Sequence, residues 1–418
     1  AASDVYKRQV KEREQEENKM LQGKTVLLGV TGGIAAYKMP NVARMLKKMH
    51  CNVHVLMTQN ATNFITATTF ETLTGNKCLI DTFDRNFEFS VEHVALAKQA
   101  DLVLLAPATA NVIGKIANGI ADDMLTTTVM ACTCKVLVAP AMNHNMYHNS
   151  IVQENLEKLK RHGYEMIDPV CGMLANGDTG DGKLPSEETL VEYVLRELAF
   201  EKDMQGLKVL VTAGPTQEAI DPVRFISNHS TGKMGYAIAK NAMLRGAEVT
   251  LVTGRTALEP PMFVKTVPVT SAKDMYQAVM ECAKEQDIIV KAAAVADYTP
   301  AHTADEKIKK SEGELSLALE KTTDILAELG KNKGNTVLCG FSMETEQMLE
   351  NSRAKRKKKN LDMIAANNLK QQGAGFAGDT NVLTLITEDW EKELALMSKD
   401  EAAKCLLDEL LKIKKNKK

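Results

Sequence analysis

Short apolar runs alternate with longer amphipathic segments along almost the whole chain. Two of these runs open alike: KTVLLGVTGG (24–33) and LKVLVTAGPT (207–216) each predict a buried strand that enters a glycine-rich turn. Similar runs follow, namely NVHVLMT, DLVLLAP and KVLVAPAM in the first half and AEVTLVTG, DIIVKAAAV and NTVLCGFS in the second. Strands that alternate with helical patterns predict parallel sheets with helices on both faces. We therefore expect an α/β fold with two doubly wound Rossmann-like domains.

The boundary between the halves is predicted within SEETLVEYVLRELAFEKDMQG (186–206), which has the pattern of a terminal helix and a short polar linker. Its opening SEE triplet supplies an N-cap and an acidic first turn. We expect one domain over 20–200 and a second over 206–418. Residues 1–19 are mostly polar and charged, and we expect a disordered arm or a non-native extension there.

Composition narrows the class of protein. The chain has 418 residues with 44% hydrophobic residues and a net charge of −2, which predicts no general affinity for nucleic acid or acidic membranes. No apolar run reaches the roughly 18 residues of a membrane span, and we expect no secretory signal. The eight cysteines include no CxxC pair, although Cys132 and Cys134 form a CxC. Reduced structural thiols in a cytoplasmic protein are expected, rather than a metal cage.

The common nucleotide-binding motifs are absent. The first turn, GVTGG (29–33), is not GxGxxG, so the usual NAD fingerprint is missing. STGK (230–233) is similar to part of a P-loop, but Ser227 stands where the first glycine is required and Met234 where Ser or Thr is required. A glycine-rich turn after a strand still offers backbone N–H groups to a phosphate, or simply allows tight strand–helix packing.

Polar residues that directly follow predicted strands are the candidates for chemistry, because such folds bind ligands at the carboxyl ends of their strands. PATAN (107–111) suits a phosphate or a planar heterocycle, and a helix N-cap at Thr109 is the alternative. PAMNHNMY (140–147) predicts either a site loop or a turn with Asx hydrogen bonding. His93, at the start of a helical stretch, is either structural or functional.

Several segments together resemble known families. GVTGGIAAYK, His93 in its helix, PATAN, ADDMLT and PAMNHNMY resemble the flavin-dependent cysteine decarboxylases. TAGPTQEAIDPVRFISNHSTGKMGYAIA, AAAVADY, EKIKK, GFSMET and KKKNLDMIAAN resemble phosphopantothenate–cysteine ligase. The order of the halves is that of the bifunctional enzymes of coenzyme A synthesis. This resemblance covers Met20 to the C-terminus.

The decarboxylase resemblance implies an FMN site. It assigns flavin contacts to Gly32, Ile34, Thr58, Thr109 and Asn111. It assigns His93 as a base near the substrate thiol and Asn143 as the residue that orients the substrate carboxylate. Oxidation of the cysteinyl CH2–SH group by the flavin provides the electron sink that decarboxylation needs.

The resemblance also implies a flexible clamp over this site, and the matching stretch is ANGDTGDGK (175–183). Asn176 stands where the family has a proton-donating cysteine. A neutral amide is not a useful acid near pH 7, whereas a thiol with a pKa near 8.5 is one. Cys171 lies five residues earlier in the same glycine-rich loop. The alternative proton donors are Cys171, a water and Asp178. If Cys171 is not the donor, its role is structural.

The ligase resemblance implies that CTP activates the pantothenate carboxylate as an acyl-cytidylate, with Mg2+ on the triphosphate. Asn228 matches the residue that stabilises the acyl-cytidylate. The implied CTP positions are Lys291, Ala292, Ala293, Asp297, Lys307, Thr323, Asp324, Ile325, Leu326, Phe341, Lys355 and Lys359. Thr323 replaces a usual proline. Lys355 and Lys359 lie one helical turn apart in RAKRKKK, so both can face one anion.

The predicted function is ligation of 4'-phosphopantothenate to cysteine with CTP, then decarboxylation to 4'-phosphopantetheine with FMN. The resemblance implies a homo-oligomer, with decarboxylase trimers and ligase dimers. One alternative is an active ligase joined to a decarboxylase half that stalls at the enethiol, because of Asn176. Another is a non-catalytic flavoprotein scaffold.

Overall fold

The computed structural model describes residues 19–82, 92–173, 177, 179–309, 316–344, 347–368 and 378–417. The predictions for residues 1–18, for Asn176 and for Asp178 therefore lie outside the described residues. The chain divides into two compact units, 1–200 and 201–418, which are described separately below.

The first unit contains seven described strands and eight described α-helices. The strands are β1 Thr25–Val30, β2 Asn52–Met57, β3 Leu102–Ala108, β4 Lys135–Pro140, β5 Glu165–Met166, β6 Val170–Met173 and β7 Thr179–Lys183. The helices are α1 Met39–Lys48, α2 Ala67–Thr74, α3 Glu92–Gln99, α4 Ala110–Ala117, α5 Met124–Ala131, α6 His144–Tyr147, α7 Ser150–Arg161 and α8 Glu187–Leu198. Short 3-10 helices span Ile34–Lys38 and Gln59–Asn63.

The main sheet of the first unit has the order β2-β1-β3-β4-β5, and all its neighbouring strands are parallel. This is the flavodoxin-like order of a doubly wound fold, which confirms the α/β prediction for this half. All seven residues of β3 are buried. Such near-continuous apolar strands form when helices cover both faces of a parallel sheet. Strands β6 and β7 form a separate antiparallel hairpin.

The second unit contains fourteen described strands and five described α-helices. The strands are β8 Lys208–Ala213, β9 Gln217–Ala219, β10 Phe225–Ser227, β11 Glu248–Thr253, β12 Lys265–Pro268, β13 Ile288–Lys291, β14 Tyr298–Pro300, β15 Leu319–Lys321, β16 Val337–Glu344, β17 Met363–Asn368, β18 Thr380–Asn381, β19 Leu383–Ile386, β20 Glu391–Glu393 and β21 Met397–Ser398. The helices are α9 Lys233–Leu244, α10 Ala272–Cys282, α11 Ile325–Lys331, α12 Met348–Lys358 and α13 Lys399–Asn416, with a 3-10 helix at Ala283–Glu285.

The main sheet of the second unit has the order β12-β11-β8-β13-β16-β17-β19-β20. Its first six strands are parallel, and β19 and β20 extend it in antiparallel pairing. Counted within this half, the parallel strands run 3-2-1-4-5-6, which is the classic Rossmann order. The prediction of a second doubly wound domain is therefore confirmed. In both units the first strand lies at the point where the strand order reverses.

Local signals set several helix starts. Ser186 caps α8 through a 3.1 Å hydrogen bond from the Thr189 N–H, with two glutamates in the first turn, as the sequence predicts. Capping boxes begin α5, α10 and α13. Helix α9 begins differently: Gly232, with φ of +78°, occupies its N-cap and supplies no side-chain cap.

Candidate active sites

A buried hydroxyl joins the ends of β1 and β3 in the first unit. Thr31 is fully buried. Its hydroxyl donates to the Pro107 carbonyl at 2.7 Å and accepts the Thr109 N–H at 3.0 Å. Thr109 is the N-cap residue of α4, but its side chain makes no capping hydrogen bond. The alternative of a helix N-cap at Thr109 is therefore confirmed as a position, although the Thr109 hydroxyl faces Thr31 at 3.3 Å and does not cap the helix.

The residues matched to flavin contacts lie at this same edge of the sheet. A Cβ at Gly32 would come within 2.5 Å of the Asn60 Cβ, so the turn after β1 requires a glycine where it passes the 3-10 helix Gln59–Asn63. Thr58 precedes that helix and is 8% exposed, and its hydroxyl has no hydrogen-bond partner among the described residues. Ile34 is 56% exposed, and Asn111 is exposed. An exposed apolar side chain and an orphaned hydroxyl at the same edge of the sheet suit a flat ligand with polar substituents.

The loop after β4 carries Asn143. The side-chain oxygen Oδ1 of Asn143 accepts the Asn145 N–H at 2.9 Å and caps the short helix α6. The Asx-turn alternative therefore describes the local geometry correctly. This hydrogen bond uses the oxygen of the amide and leaves its NH2 group as the donor that a carboxylate would need. His93 lies in α3 and is partly buried.

The glycine-rich stretch forms the β6–β7 hairpin and packs on the Asn143 loop. The Met142 N–H donates to the Gly182 carbonyl at 3.0 Å. Gly182 has φ of +121°, and a Cβ there would clash with the Met142 carbonyl oxygen. A Cβ at Gly180 would lie 2.7 Å from Nδ1 of His144. Two glycines of the hairpin are therefore required by close approach to one loop.

Cys171 lies in β6, opposite the part of β7 that makes these contacts. The register shifts between Val170 and Gly172, so the hairpin has an irregularity at this position. Cys171 is exposed. The structure thus places a thiol in the hairpin that contacts the Asn143 loop, whereas Asn176 lies outside the described residues.

The second unit contains a pocket of about 810 Å³ at the carboxyl edge of its sheet. Every ligase-half position predicted from the resemblance lines it except one. These lining residues are Asn228, Lys291, Ala292, Ala293, Asp297, Thr323, Asp324, Ile325, Leu326, Phe341, Lys355 and Lys359. The exception is Lys307, which is exposed and is not among the lining residues. The backbone of its neighbour Ile308 is hydrogen-bonded to Asp221 and Arg224.

Buried threonines fix the loop that follows β13. The Thr212 hydroxyl accepts the Ala293 N–H at 3.1 Å, and the Thr216 hydroxyl accepts the Ala296 N–H at 3.0 Å. The Asn228 side-chain NH2 donates to the Ala294 carbonyl at 3.1 Å. Both threonines are fully buried. Asn228 is therefore held against the loop whose residues line the pocket.

Lysines concentrate positive charge on one side of this pocket. Burial, together with nearby Lys359 and Lys355, lowers the pKa of Lys291 to about 8. Lys359 forms a 2.8 Å ion pair with Asp324, which also caps α11 through the Ala327 N–H. Burial alone would raise the pKa of Asp324, but the Lys359 and backbone hydrogen bonds outweigh it, and the pKa lies below its usual value. An anionic ligand would relieve the repulsion among these lysines.

Sequence reasoning missed a second group of lining residues. Lys233 pairs with Asp379 at 2.6 Å, and burial beside Lys233 lowers the pKa of Lys399 to about 8. Asn367 is 5% exposed, and its side-chain oxygen Oδ1 has no hydrogen-bond partner among the described residues. Asn367 is a polar residue after the apolar run of β17, and that position could have marked it as a candidate site residue. Nothing in the sequence indicates that Lys399 lies at this pocket.

Comparison with known proteins agrees with both halves. Residues 14–199 match the family described as Flavoprotein, and residues 204–413 match the DNA/pantothenate metabolism flavoprotein C-terminal domain. The coenzyme A biosynthesis bifunctional protein CoaBC of Bacillus subtilis is 45% identical over 95% of this chain and 98% of that protein. The Escherichia coli protein of the same name is 42% identical over 94% of this chain and 97% of that protein.

A crystal structure of the C-terminal domain of such a CoaBC protein is 41% identical and covers 52% of this chain and 100% of that chain, with a TM-score of 0.45. The family matches assign the first unit to the Flavoprotein family and the second to the DNA/pantothenate metabolism flavoprotein C-terminal domain. The chain belongs to the family of coenzyme A biosynthesis bifunctional proteins, which confirms the resemblance. Among the described residues, no helix is both long and apolar enough to cross a membrane.

Gly182→Ala is expected to loosen the hairpin, because a Cβ meets the Met142 carbonyl and the backbone conformation disfavours alanine. Overpacking of this kind costs about 1–3 kcal/mol. Amide hydrogen exchange should therefore become roughly 5- to 150-fold faster over 170–173 and 179–183. Gly172→Ala is the matched control, since its Cβ would make only a 3.4 Å contact with the Lys183 side chain. Equal exchange rates in the two variants would contradict the conclusion that the contact between Gly182 and the Asn143 loop holds the hairpin in place.

Proposed function

We propose that the chain ligates 4'-phosphopantothenate to cysteine with CTP and then decarboxylates the product to 4'-phosphopantetheine with FMN. Family membership over nearly the whole chain supports both activities. The observation that carries the ligase assignment is a pocket lined by all of the residues matched to CTP contacts except Lys307. The orphaned Thr58 hydroxyl at the edge of the first sheet carries the flavin assignment.

In the ligase half, the lysine group balances the triphosphate charge. Lys291, Lys355 and Lys359 face one pocket, and an anion bound there would favour the protonated form of Lys291. The N-terminus of α9, with Gly232 and Lys233 in the pocket wall, adds the positive end of a helix dipole. Mg2+ prefers oxygen ligands and enters with the nucleotide, and the Asp297 carboxylate in the pocket wall is suited to it.

The ligation itself requires an activated carboxylate. The phosphopantothenate carboxylate attacks the α-phosphate of CTP, pyrophosphate leaves, and an acyl-cytidylate forms. The amine of cysteine then attacks the carbonyl carbon, and CMP leaves as the amide bond forms and the amine loses a proton. Asn228 is held by its hydrogen bond to the Ala294 carbonyl, close to the loop that lines the pocket. We assign Asn228 to the acyl-cytidylate, with its amide oriented by that contact.

In the decarboxylase half, Gly32, Ile34, Thr58, Thr109 and Asn111 are proposed to hold FMN. When bound, FMN supplies the hydride acceptor that makes loss of CO2 feasible. Asn143 directs its amide NH2 group to the substrate carboxylate, since its oxygen is already bonded to the Asn145 N–H. His93 takes the thiol proton, and closure of the β6–β7 hairpin excludes water from the site.

The complete reaction tests the proposed function. Purified protein is supplied with 4'-phosphopantothenate, cysteine, CTP and Mg2+, and products are followed by mass. The expected product is 4'-phosphopantetheine, with one CTP consumed per molecule formed, from a protein that is yellow with bound flavin. An accumulating enethiol would indicate a stalled decarboxylase half. Absence of any CTP-dependent product would contradict the ligase assignment, and with it both the proposed function and the alternative of an active ligase with a stalled decarboxylase half.

Cys171→Ser tests the proton donor of the decarboxylase half. Because a serine hydroxyl is far less acidic than a thiol, the variant should accumulate the enethiol and form phosphopantetheine at least about 10-fold more slowly. Cys282→Ser, in the second unit, is the control and should behave as the parent. Parent-rate formation of phosphopantetheine by Cys171→Ser would make Cys171 structural and assign the proton to another donor.

The affinity for CTP should weaken as pH rises through about 8, because free Lys291 loses its proton there. The loss should approach about tenfold per pH unit well above that value. Calorimetric titration with Mg–CTP, without cysteine, avoids ionisation of the substrate amine. Lys291→Arg stays protonated and should flatten the profile. Lys399→Arg is the control, since Lys399 in the same pocket also has a pKa of about 8. A profile flattened only by Lys399→Arg would contradict the assignment.

A further inference from the structure

Two histidines and an aspartate meet where the β6–β7 hairpin contacts the Asn143 loop. His144 and His148 lie four residues apart at the short helix α6, and their ring centroids are 4.4 Å apart. Asp181 comes from β7, and its carboxylate lies 3.1 Å from Nε2 of His148. One potential ligand atom from each of the three lies within 4.8 Å of the other two. Two separate segments of the chain thus contribute to one cluster.

We propose that His144, His148 and Asp181 form a site for a divalent transition metal of the zinc class. Two imidazoles and one carboxylate are a known ligand set for zinc with an open fourth position, and histidines at i and i+4 are a recurrent zinc-binding spacing. Zinc ligand bonds of about 2.0–2.2 Å bring ligand atoms to roughly 3.4 Å from one another. The His148 and Asp181 side chains are 50% and 43% exposed, so the adjustment required meets little packing resistance.

The present contacts bring the three side chains together without using all of their ligand atoms on one another. Nδ1 of His144 accepts the Asp181 N–H at 3.2 Å, a long hydrogen bond that a metal at that nitrogen would replace. Asp181 and His148 are a charged pair only when the histidine is protonated, and metal binding takes the neutral ring instead. Hard ions such as Mg2+ prefer all-oxygen sites, so the Mg2+ that accompanies CTP does not compete here.

The site would link β7 to α6, the short helix that begins directly after Asn143. The hairpin already contacts this loop through Gly182 and Gly180. A bound ion would add metal–ligand bonds across the same junction, and the hairpin would then open more rarely. The metal site does not depend on the proposed reaction, because it is defined by these three side chains alone.

Equilibrium dialysis of the full-length protein against Zn2+, after chelator treatment, tests the proposal directly. We expect one equivalent of zinc that His144→Ala, His148→Ala and Asp181→Asn each lose or bind more than about 10-fold more weakly. His162→Ala is the matched control, because His162 is exposed and lies outside the cluster. Substitution with Co2+ should give the visible absorption of a four-coordinate site in the parent and not in His148→Ala.

Hydrogen exchange gives a second readout that needs no enzymatic activity. Zinc should slow exchange over 170–173 and 179–183 in the parent and in His162→Ala, and leave His148→Ala unchanged. Three outcomes would overturn the proposal. The first is that the parent binds no zinc at micromolar free metal. The second is that the parent and the three cluster variants bind equal amounts of zinc. The third is loss of zinc only in Cys132→Ser, which would assign the metal to Cys132 and Cys134.

Discussion

Both halves depend on a buried threonine hydroxyl that joins the end of the first strand to the loop after a neighbouring strand. Thr31 bonds the Pro107 carbonyl and the Thr109 N–H, and Thr212 accepts the Ala293 N–H. Both side chains are fully buried. A typical hydrogen bond contributes about 1 kcal/mol net, but a buried partner left unpaired costs about 1–3 kcal/mol. These hydroxyls therefore fix the ligand-facing loops at the point where each strand order reverses.

The two sites then differ in charge, although their scaffolds are alike. Hydroxyl and amide groups and the exposed Ile34 line the proposed flavin edge of the first sheet. The second pocket has Lys291, Lys355 and Lys359 on one side, and further lysines at α9 and α13. A flat, partly apolar ligand suits the first arrangement, and a polyphosphate suits the second. This contrast gives a physical basis for placing redox chemistry in one half and nucleotide-driven ligation in the other.

The sequence predicts the fold well because local signals carry it. Alternating strands and helices predict both doubly wound sheets, and the Ser186 cap forms as expected. The ligase-half positions named from the family resemblance, apart from Lys307, also line one pocket. The remaining features arise from contacts between distant residues: Thr31 meets Thr109 across 78 positions, and His148 meets Asp181 across 33. No local pattern encodes such pairs, so the hairpin contacts and the role of Lys399 in the pocket emerge only from the folded chain.

The central claim is that each half of the chain performs one reaction at its own site. The most direct measurement is mass analysis of products from His93→Asn and Asn228→Asp proteins, alone and mixed. The account predicts that His93→Asn consumes CTP and accumulates 4'-phosphopantothenoylcysteine, that Asn228→Asp decarboxylates this compound but cannot make it, and that the mixture forms 4'-phosphopantetheine. Loss of both reactions in either folded variant, or full activity in both, would contradict it.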